Sequence, residues 1–267
     1  MAPALLLIGG TLCDDALWAP LLDVAPPLAE CIHVADYRRH ESAREAAADL
    51  LERYPGRLVP VGFSLGGFVA QEMAALAPER LSGLVLVATN ARADAPGGAQ
   101  ARQRMMDLAD TLGLGAAIRQ QLWPAYVAPG RLSDGPLQDA IVAMAERLGP
   151  EVFRRQAAIA ATRADGLARL SAWRGPALVV SGGQDALNPE DRQLEMRVRM
   201  RQGRWVSLQN VGHFVPLEAP AGLHCILREW LRDYVFPRPA SSRHRMTLEP
   251  ATQDERNPAS HGRTPGR

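Results

Sequence analysis

The sequence predicts an α/β protein built on a mostly parallel sheet. Six short apolar runs end at turn residues, and amphipathic helical patterns lie between most of them. The runs cover residues 4–8, 31–35, 58–63, 84–88, 177–180 and 205–208. Continuous Val, Leu and Ile runs of this length are typical of strands that are covered on both faces, as in a parallel sheet. The 267 residues, 47% of them hydrophobic, are enough to bury a sizeable core.

The helical patterns between the strands have recognisable ends. Residues 42–54 place Ala46, Leu50 and Leu51 on one face, and Ser42 with Glu45 three positions later forms a capping-box pattern. Residues 65–76 have apolar side chains at helical spacing and stop before a proline, and residues 221–234 are amphipathic. Strands that alternate with helices indicate right-handed crossovers in an α/β fold.

The region from about residue 91 to 173 breaks this alternation. It has no convincing strand, but it has helical patterns at 101–112, 116–126, 137–148 and 151–161. We therefore expect a helical cap (residues 93–171) inserted after the fourth strand of a core formed by residues 1–92 and 172–236. Its large apolar residues either bury the helices or line a pocket over the sheet, and long insertions are usually functional. The large apolar residues of this region are Met105, Met106, Leu112, Trp123, Tyr126, Met144 and Phe153.

Composition excludes several function classes. All 30 basic residues are arginines, which excludes lysine Schiff-base chemistry and a P-loop. The three scattered cysteines favour neither a disulfide framework nor a zinc ribbon, and indicate a reduced, cytoplasmic setting. A net charge of +1 gives no reason to expect nucleic acid. No signal or membrane segment is expected, and the Pro- and Arg-rich residues 237–267 are predicted to be a disordered tail.

The most informative motif is Gly62-Phe63-Ser64-Leu65-Gly66, a G-x-S-x-G between a predicted strand and a predicted helix. A serine can be exposed as a nucleophile on a sharp strand-to-helix turn, called the elbow below. Small residues two positions before and two positions after the serine avoid collisions across this turn. The first N–H groups of the helix then point to the space where an anionic oxygen would develop. The motif predicts that Ser64 is a nucleophile.

An activated serine needs a histidine, and the histidine needs a hydrogen-bond acceptor. Of the six histidines, His213 follows the last predicted strand in a Gly-His context, on the side of the sheet where the elbow lies. Asp185 lies in the turn after the fifth predicted strand, where it could accept a hydrogen bond from that histidine or could instead cap a turn or helix. Asp191 and Asp94 are weaker alternatives, and Asn90 lacks a carboxylate.

These motifs make the chain resemble the α/β-hydrolase superfamily over roughly residues 4–236. The segment Gly10-Thr11-Leu12-Cys13-Asp14, with Leu17-Trp18 after it, is similar to one subgroup in particular. The resemblance implies the α/β-hydrolase fold, the chain order serine, acid, histidine, and Asp185 as the acid. Many members of the superfamily have His-Gly where this chain has Gly9-Gly10. They also often have two more strands before this loop, so a six-stranded sheet is expected here.

The resemblance also implies an oxyanion hole. Its two donors are expected to be the backbone N–H groups of Leu65 and Thr11, with Leu12 as an alternative to Thr11. Contacts to the substrate are expected from four residues of the cap and the loops, namely Leu12, Trp123, Tyr126 and Phe214. Cys13 could act as a thiol nucleophile, but no histidine is suitably placed for it in the sequence.

The function expected from these features is a serine hydrolase that needs no cofactor and no metal. It would cleave a carboxylic ester, or a related acyl bond, of a small and partly apolar substrate through an acyl-enzyme. The same three residues could serve a cofactor-free haloperoxidase, an acyltransferase, or a lactone or C–C hydrolase. A binding protein on the same fold that has lost catalysis is the alternative from another class. The sequence does not predict the oligomeric state.

Overall fold

The computed structural model describes residues 2–236 and contains one six-stranded parallel sheet. The strands are β1 (Ala4–Ile8), β2 (Ile32–Val34), β3 (Leu58–Phe63), β4 (Leu84–Val87), β5 (Pro176–Gly182) and β6 (Gln202–Leu208). Their spatial order is β2-β1-β3-β4-β5-β6, and every neighbouring pair is parallel. The predicted α/β-hydrolase fold with a six-stranded sheet is confirmed.

Helices connect the strands and cover the sheet. In chain order they are α1 (Ala19–Leu22), α2 (Ala43–Arg53), α3 (Leu65–Leu76), α4 (Gly98–Leu112), α5 (Leu114–Ala117), α6 (Trp123–Tyr126), α7 (Gly135–Thr162), α8 (Leu167–Ala172), α9 (Glu190–Arg199), α10 (Val215–Glu218) and α11 (Pro220–Tyr234). The Ser42 hydroxyl accepts a hydrogen bond from the Glu45 N–H, as the capping pattern predicts.

The central strands are buried on both faces. Leu5 and Leu7 of β1 belong to one hydrophobic cluster, while Leu6 and Ile8 belong to a second. Successive side chains of a strand point to opposite faces of the sheet, so the two clusters are the cores on its two sides. An uninterrupted apolar run in the sequence therefore corresponds to a strand between two layers of helices.

The edge strand β6 begins three residues before the apolar run that predicts it. The apolar pattern begins at Trp205, but the strand begins at Gln202 and pairs with β5 from Pro176↔Gln202 to Gly182↔Leu208. Its first residues are partly or largely exposed. Backbone pairing with the neighbouring strand, and not side-chain burial, extends β6 at this end.

The region between β4 and β5 is helical, as predicted. The pattern at 116–126 is divided into α5, a π-helical turn over Ile118–Leu122, and α6. The patterns at 137–148 and 151–161 form the two halves of α7, which is interrupted at Gly149 with φ +79° just before Pro150. Glycine adopts this conformation without steric cost, so the break falls where the sequence allows it. The division into core and cap remains a prediction.

The predicted tail, residues 237–267, lies outside the described residues. None of the helices described between residues 2 and 236 combines the length and the apolar character needed to cross a membrane.

Candidate active site

Ser64 lies at the junction of β3 and α3 in a strained conformation. Its φ of +50° and ψ of −115° are unusual for a residue with a side chain. The Ser64 N–H donates to the Val87 carbonyl at 2.9 Å, and the Thr89 hydroxyl donates to the Ser64 carbonyl at 2.8 Å. Both partners belong to β4 or the turn after it, so the neighbouring strand holds the elbow in place.

The glycines of the motif are required by close backbone contacts. A Cβ atom at Gly62 would lie 2.5 Å from the Gly66 carbonyl oxygen, and one at Gly66 would lie 2.2 Å from the Ile8 carbonyl oxygen. Gly10, in the loop after β1, leaves no spare room beside Ser64, because a Cβ there would lie 3.1 Å from the Ser64 Cβ. The turn therefore depends on the absence of side chains at these positions.

Ser64, His213 and Asp185 form a continuous hydrogen-bonded chain. His213 Nε2 lies 2.9 Å from Ser64 Oγ, and His213 Nδ1 lies 2.9 Å from Asp185 Oδ2. An ionised carboxylate can only accept, so the proton between this pair belongs to Nδ1. Nε2 is then free to accept the proton of the serine hydroxyl. The fold brings together side chains that are far apart in the sequence. Ser64 is 149 positions from His213, and Asp185 is 28 positions from it.

The Asp185 carboxyl group is held by the turn that follows β5. Its other oxygen, Oδ1, accepts the backbone N–H groups of Leu187 and Asn188, each at 2.9 Å, and its side chain is fully buried. The Asn188 amide in turn donates to the Ala88 carbonyl at 2.9 Å. These contacts fix the direction in which Oδ2 faces the imidazole.

The alternative acids lie in other environments. Asp94 is ion-paired with Arg102 and Arg163, and these arginines hold the pKa of its carboxyl below the ordinary value. Asp191 lies in the first turn of α9. Asn90 donates from its amide to the Asn188 side chain at 2.6 Å.

The loop that carries His213 is tied to the end of α6. The backbone N–H groups of His213 and Phe214 both donate to the Tyr126 carbonyl at 3.1 Å. The Glu218 carboxylate accepts three backbone N–H groups, those of Ala128 at 2.9 Å, Gly212 at 3.0 Å and Phe214 at 3.1 Å.

Sequence reasoning missed Glu218. Burial raises the pKa of its carboxyl above the ordinary value, although the three backbone donors oppose this effect. The available signal was an acidic residue five positions after the predicted catalytic histidine, shortly before the predicted helix at 221–234. Acidic residues at that position are common for reasons of helix capping alone, so the pattern was not distinctive.

The loop after β1 contains Thr11 and Leu12, the two candidates for the second oxyanion donor. Thr11 lines the cavity in front of Ser64. The Leu12 N–H instead donates to the side-chain oxygen of Gln156 at 2.7 Å, and Leu12 has φ +55°. Because that N–H is already bonded, the geometry favours Thr11 over Leu12 as a donor. Gln156, which was not predicted, links α7 to this loop.

A cavity of about 430 Å³ opens beside Ser64 and His213. Its lining is mostly apolar and comes from the elbow, the loops and the helices between β4 and β5: Thr11, Phe63, Ser64, Gly98, Ala101, Arg102, Met105, Leu122, Tyr126, Phe153, Gln156, Ala157, Ala160, Leu187, His213 and Phe214. Four of these helical residues come from α4 and four from α7. The expectation that some apolar side chains of the insertion line a pocket agrees with this lining.

The four residues predicted to contact the substrate fall into two pairs. Tyr126 and Phe214 line the cavity, but Leu12 and Trp123 do not. The Trp123 side chain is packed in the hydrophobic core, and its indole N–H donates to the Leu132 carbonyl at 3.0 Å. Leu12 is also a core residue. Residue type and position along the chain suggested both, but the loop after β1 places Leu12 in the core, and the orientation of α6 does the same for Trp123.

Cys13 is not suited to nucleophilic chemistry. Burial raises the pKa of its thiol to about 12, and the thiol donates to the Thr11 carbonyl at 3.4 Å. A thiol in this state is protonated at neutral pH and is a weak nucleophile. Over residues 2–236, no three His, Cys, Asp or Glu side chains converge as metal ligands would.

Comparison with known proteins identifies relatives that are esterases. A pimeloyl-[acyl-carrier protein] methyl ester esterase from Nitrosomonas europaea is 28% identical over 241 residues, covering 82% of this chain and 91% of that protein. A protein of the same name from Photobacterium profundum is 36% identical over 101 residues, which cover 35% of this chain and only 39% of the relative.

A solved structure supports the same relationship. A thermophilic esterase from Thermogutta terrifontis superposes with a TM-score of 0.75 at 26% sequence identity, covering 88% of this chain and 91% of that chain. With these relatives and this fold, the chain is an enzyme. The model of the alpha/beta hydrolase family matches residues 5–224, and the chain therefore belongs to the alpha/beta hydrolase family.

Proposed function

We propose that this enzyme is a serine hydrolase that cleaves a carboxylic ester of a small, partly apolar substrate through an acyl-enzyme. The observation that carries the proposal is the hydrogen-bonded chain from Ser64 Oγ through His213 to Asp185, with both distances at 2.9 Å. The esterase relatives support ester hydrolysis as the reaction, and the mostly apolar cavity of about 430 Å³ supports a substrate of small size.

In the first half of the reaction, Ser64 Oγ attacks the carbonyl carbon while His213 Nε2 takes the hydroxyl proton. Asp185 stabilises the imidazolium and keeps Nδ1 protonated. The carbonyl oxygen becomes an oxyanion, which the N–H groups of Leu65 and Thr11 stabilise. When the C–O bond breaks, the alcohol leaves with the proton held by His213, and the acyl group remains on Ser64.

In the second half, water attacks the acyl carbon and His213 takes its proton. The tetrahedral intermediate collapses, the bond to Ser64 Oγ breaks, and the proton returns to the serine. The acid product then leaves. The elbow supports both halves, because Leu65 is the first residue of α3 and its N–H belongs to the unpaired first turn of that helix.

Labelling with a fluorophosphonate probe tests the proposal. We expect one labelled serine in the wild-type chain, loss of the label in Ser64→Ala, and retention of the label in Ser133→Ala, which changes an exposed serine of the loop before α7. Peptide mass spectrometry locates the adduct. A label that persists in Ser64→Ala contradicts the proposal.

Hydrolysis of p-nitrophenyl esters tests the roles of the other two residues. His213→Ala should lower kcat by about 10⁴- to 10⁶-fold, and Asp185→Asn should lower it less, because the imidazole then keeps its place but not its preferred tautomer. Thermal melting of each variant separates lost chemistry from lost folding. Equal kcat in wild type and His213→Ala contradicts the proposed mechanism.

A further inference from the structure

Arg102 is the charged side chain in the wall of the cavity beside Ser64. Apart from His213, every other residue that lines this cavity in the described part of the chain is neutral. Arg102 lies on α4, and its side chain is 20% exposed. A guanidinium group in an otherwise mostly apolar wall is costly to leave without an anionic partner.

The charges around Arg102 do not cancel. Asp94 is paired with two arginines: Arg102 Nη1 lies 3.1 Å from Asp94 Oδ1, Arg102 Nη2 contacts Oδ2, and Arg163 Nη1 lies 3.1 Å from Oδ1. The two guanidinium groups hold the pKa of the Asp94 carboxyl low, so it carries its full negative charge. Two positive charges against one negative charge leave the cluster with an excess of one positive charge.

The two arginines differ in how fully they are bonded. The guanidinium of Arg163 donates from Nε to the Arg92 carbonyl at 2.9 Å and also contacts the Ala160 carbonyl, while it lies over the Phe68 ring at 4.6 Å. Arg163 therefore holds the backbone around it and does not line the cavity.

The Arg102 guanidinium, in contrast, donates to Asp94 alone among the described residues. A guanidinium has five N–H donors, so Arg102 has donors to spare. Arg102, which lines the cavity beside Ser64 and also a neighbouring cavity, is therefore the arginine of the pair that has N–H donors left for an anion.

We infer that Arg102 selects substrates that carry an anionic group, a carboxylate, at a distance from the ester that Ser64 attacks. This inference rests on the proposed function and specifies its substrate class. A carboxylate matches a guanidinium in charge and in hydrogen-bond geometry, and the surrounding apolar wall strengthens the attraction. The anion is bound equally before and during the reaction, so it acts mainly on KM and only weakly on kcat.

The test compares matched esters of equal carbon number. Monomethyl adipate carries a carboxylate on its acyl part, and methyl hexanoate does not. We expect wild type to favour monomethyl adipate in kcat/KM, and Arg102→Gln to reduce that preference by about tenfold through KM. The matched control is Arg104→Gln, on the same helix but exposed and outside the cavity wall; it should keep the wild-type preference.

A second pair of esters finds the side on which the anion binds. 4-Acetoxybutyrate carries the carboxylate on its alcohol part, and butyl acetate is its neutral partner. A preference lost in Arg102→Gln for either pair supports the inference and assigns the side. Arg102→Lys retains the positive charge and should keep part of the preference, so the inference stays testable if Arg102→Gln is poorly folded.

The outcomes separate this inference from the proposed function. Suppose that Arg102→Gln hydrolyses methyl hexanoate and keeps the wild-type ratio of kcat/KM for monomethyl adipate to kcat/KM for methyl hexanoate. That result overturns the role of Arg102 and leaves the serine mechanism intact. A wild-type preference for both neutral esters also overturns it. Failure of Ser64 to react with the fluorophosphonate probe overturns the proposed function itself.

Discussion

At the scale of single residues, Gln156 joins two segments that are 144 positions apart in the chain. Its side-chain oxygen accepts the Leu12 N–H at 2.7 Å, and the Gln156 side chain is buried. Leu12 has a positive φ, which is unfavourable for leucine. The hydrogen bond offsets that cost and fixes the loop in which Thr11 faces the cavity.

Replacing Gln156 with leucine removes the acceptor and leaves a buried N–H without a partner. We expect Gln156→Leu to lower the free energy of unfolding by about 1–3 kcal/mol and to lower kcat, because the Thr11 loop is then less well held. Urea unfolding and ester hydrolysis measure the two effects. The control Gln121→Leu changes an exposed glutamine before α6. If Gln156→Leu and Gln121→Leu have the same free energy of unfolding and the same kcat, Gln156 does not hold the loop.

At the scale of secondary-structure elements, the turn from β3 to α3 packs against β1 without side chains in between. A Cβ at Gly66 would lie 2.2 Å from the Ile8 carbonyl oxygen and 2.6 Å from that of Gly9. Both atoms are backbone, so neither can rotate away. The approach of α3 to β1 therefore fixes the position of Ser64 relative to the loop after β1.

Substituting Gly66 with alanine should force the two elements apart. We expect Gly66→Ala to melt several degrees lower than wild type and to lose most of its ester hydrolysis, because a shift of about 1 Å at Ser64 is enough to disrupt catalysis. Differential scanning calorimetry and kcat/KM provide the readouts. Gly130→Ala is the matched control, since a Cβ there meets no atom within 4 Å. A stable and fully active Gly66→Ala enzyme contradicts this account.

At the scale of the whole molecule, the loop that carries His213 is joined to the region between β4 and β5. Glu218 bonds the N–H groups of Gly212 and Phe214 on one side and of Ala128 on the other. The Tyr126 carbonyl adds two further bonds to the same loop. The position of the imidazole therefore depends on the helices that line the cavity as well as on the sheet.

Changing Glu218 to glutamine replaces one accepting oxygen with an NH₂ group that faces a backbone N–H. We expect Glu218→Gln to cost about 1–3 kcal/mol of stability and to lower kcat more than it raises KM, because the His213 loop is then less restrained. Thermal melting and steady-state kinetics measure this. The control Glu229→Gln alters an exposed residue of α11 and should behave as wild type. If Glu218→Gln keeps the wild-type kcat, Glu218 does not restrain the loop that carries His213.

The sequence by itself predicted the order of the elements and the three residues, Ser64, His213 and Asp185, that the structure brings into contact. Apolar runs and helical periodicity depend on neighbours along the chain, so they predicted β1, β3 and α3 within a residue or two. Ser64 was predicted from a local motif with a steric reason, His213 from a loop at the same edge of the parallel sheet, and Asp185 from the resemblance to the α/β-hydrolase superfamily.

Only the tertiary structure decided which side chains face the cavity. Trp123 and Tyr126 lie about one helical turn apart and both pack in the core, yet only Tyr126 also lines the cavity. Gln156 and Glu218 likewise bond backbone groups that lie 144 and 90 positions away in the chain, those of Leu12 and Ala128. Such contacts depend on how helices are oriented on the sheet, a property of long-range packing that residue type and local periodicity do not encode.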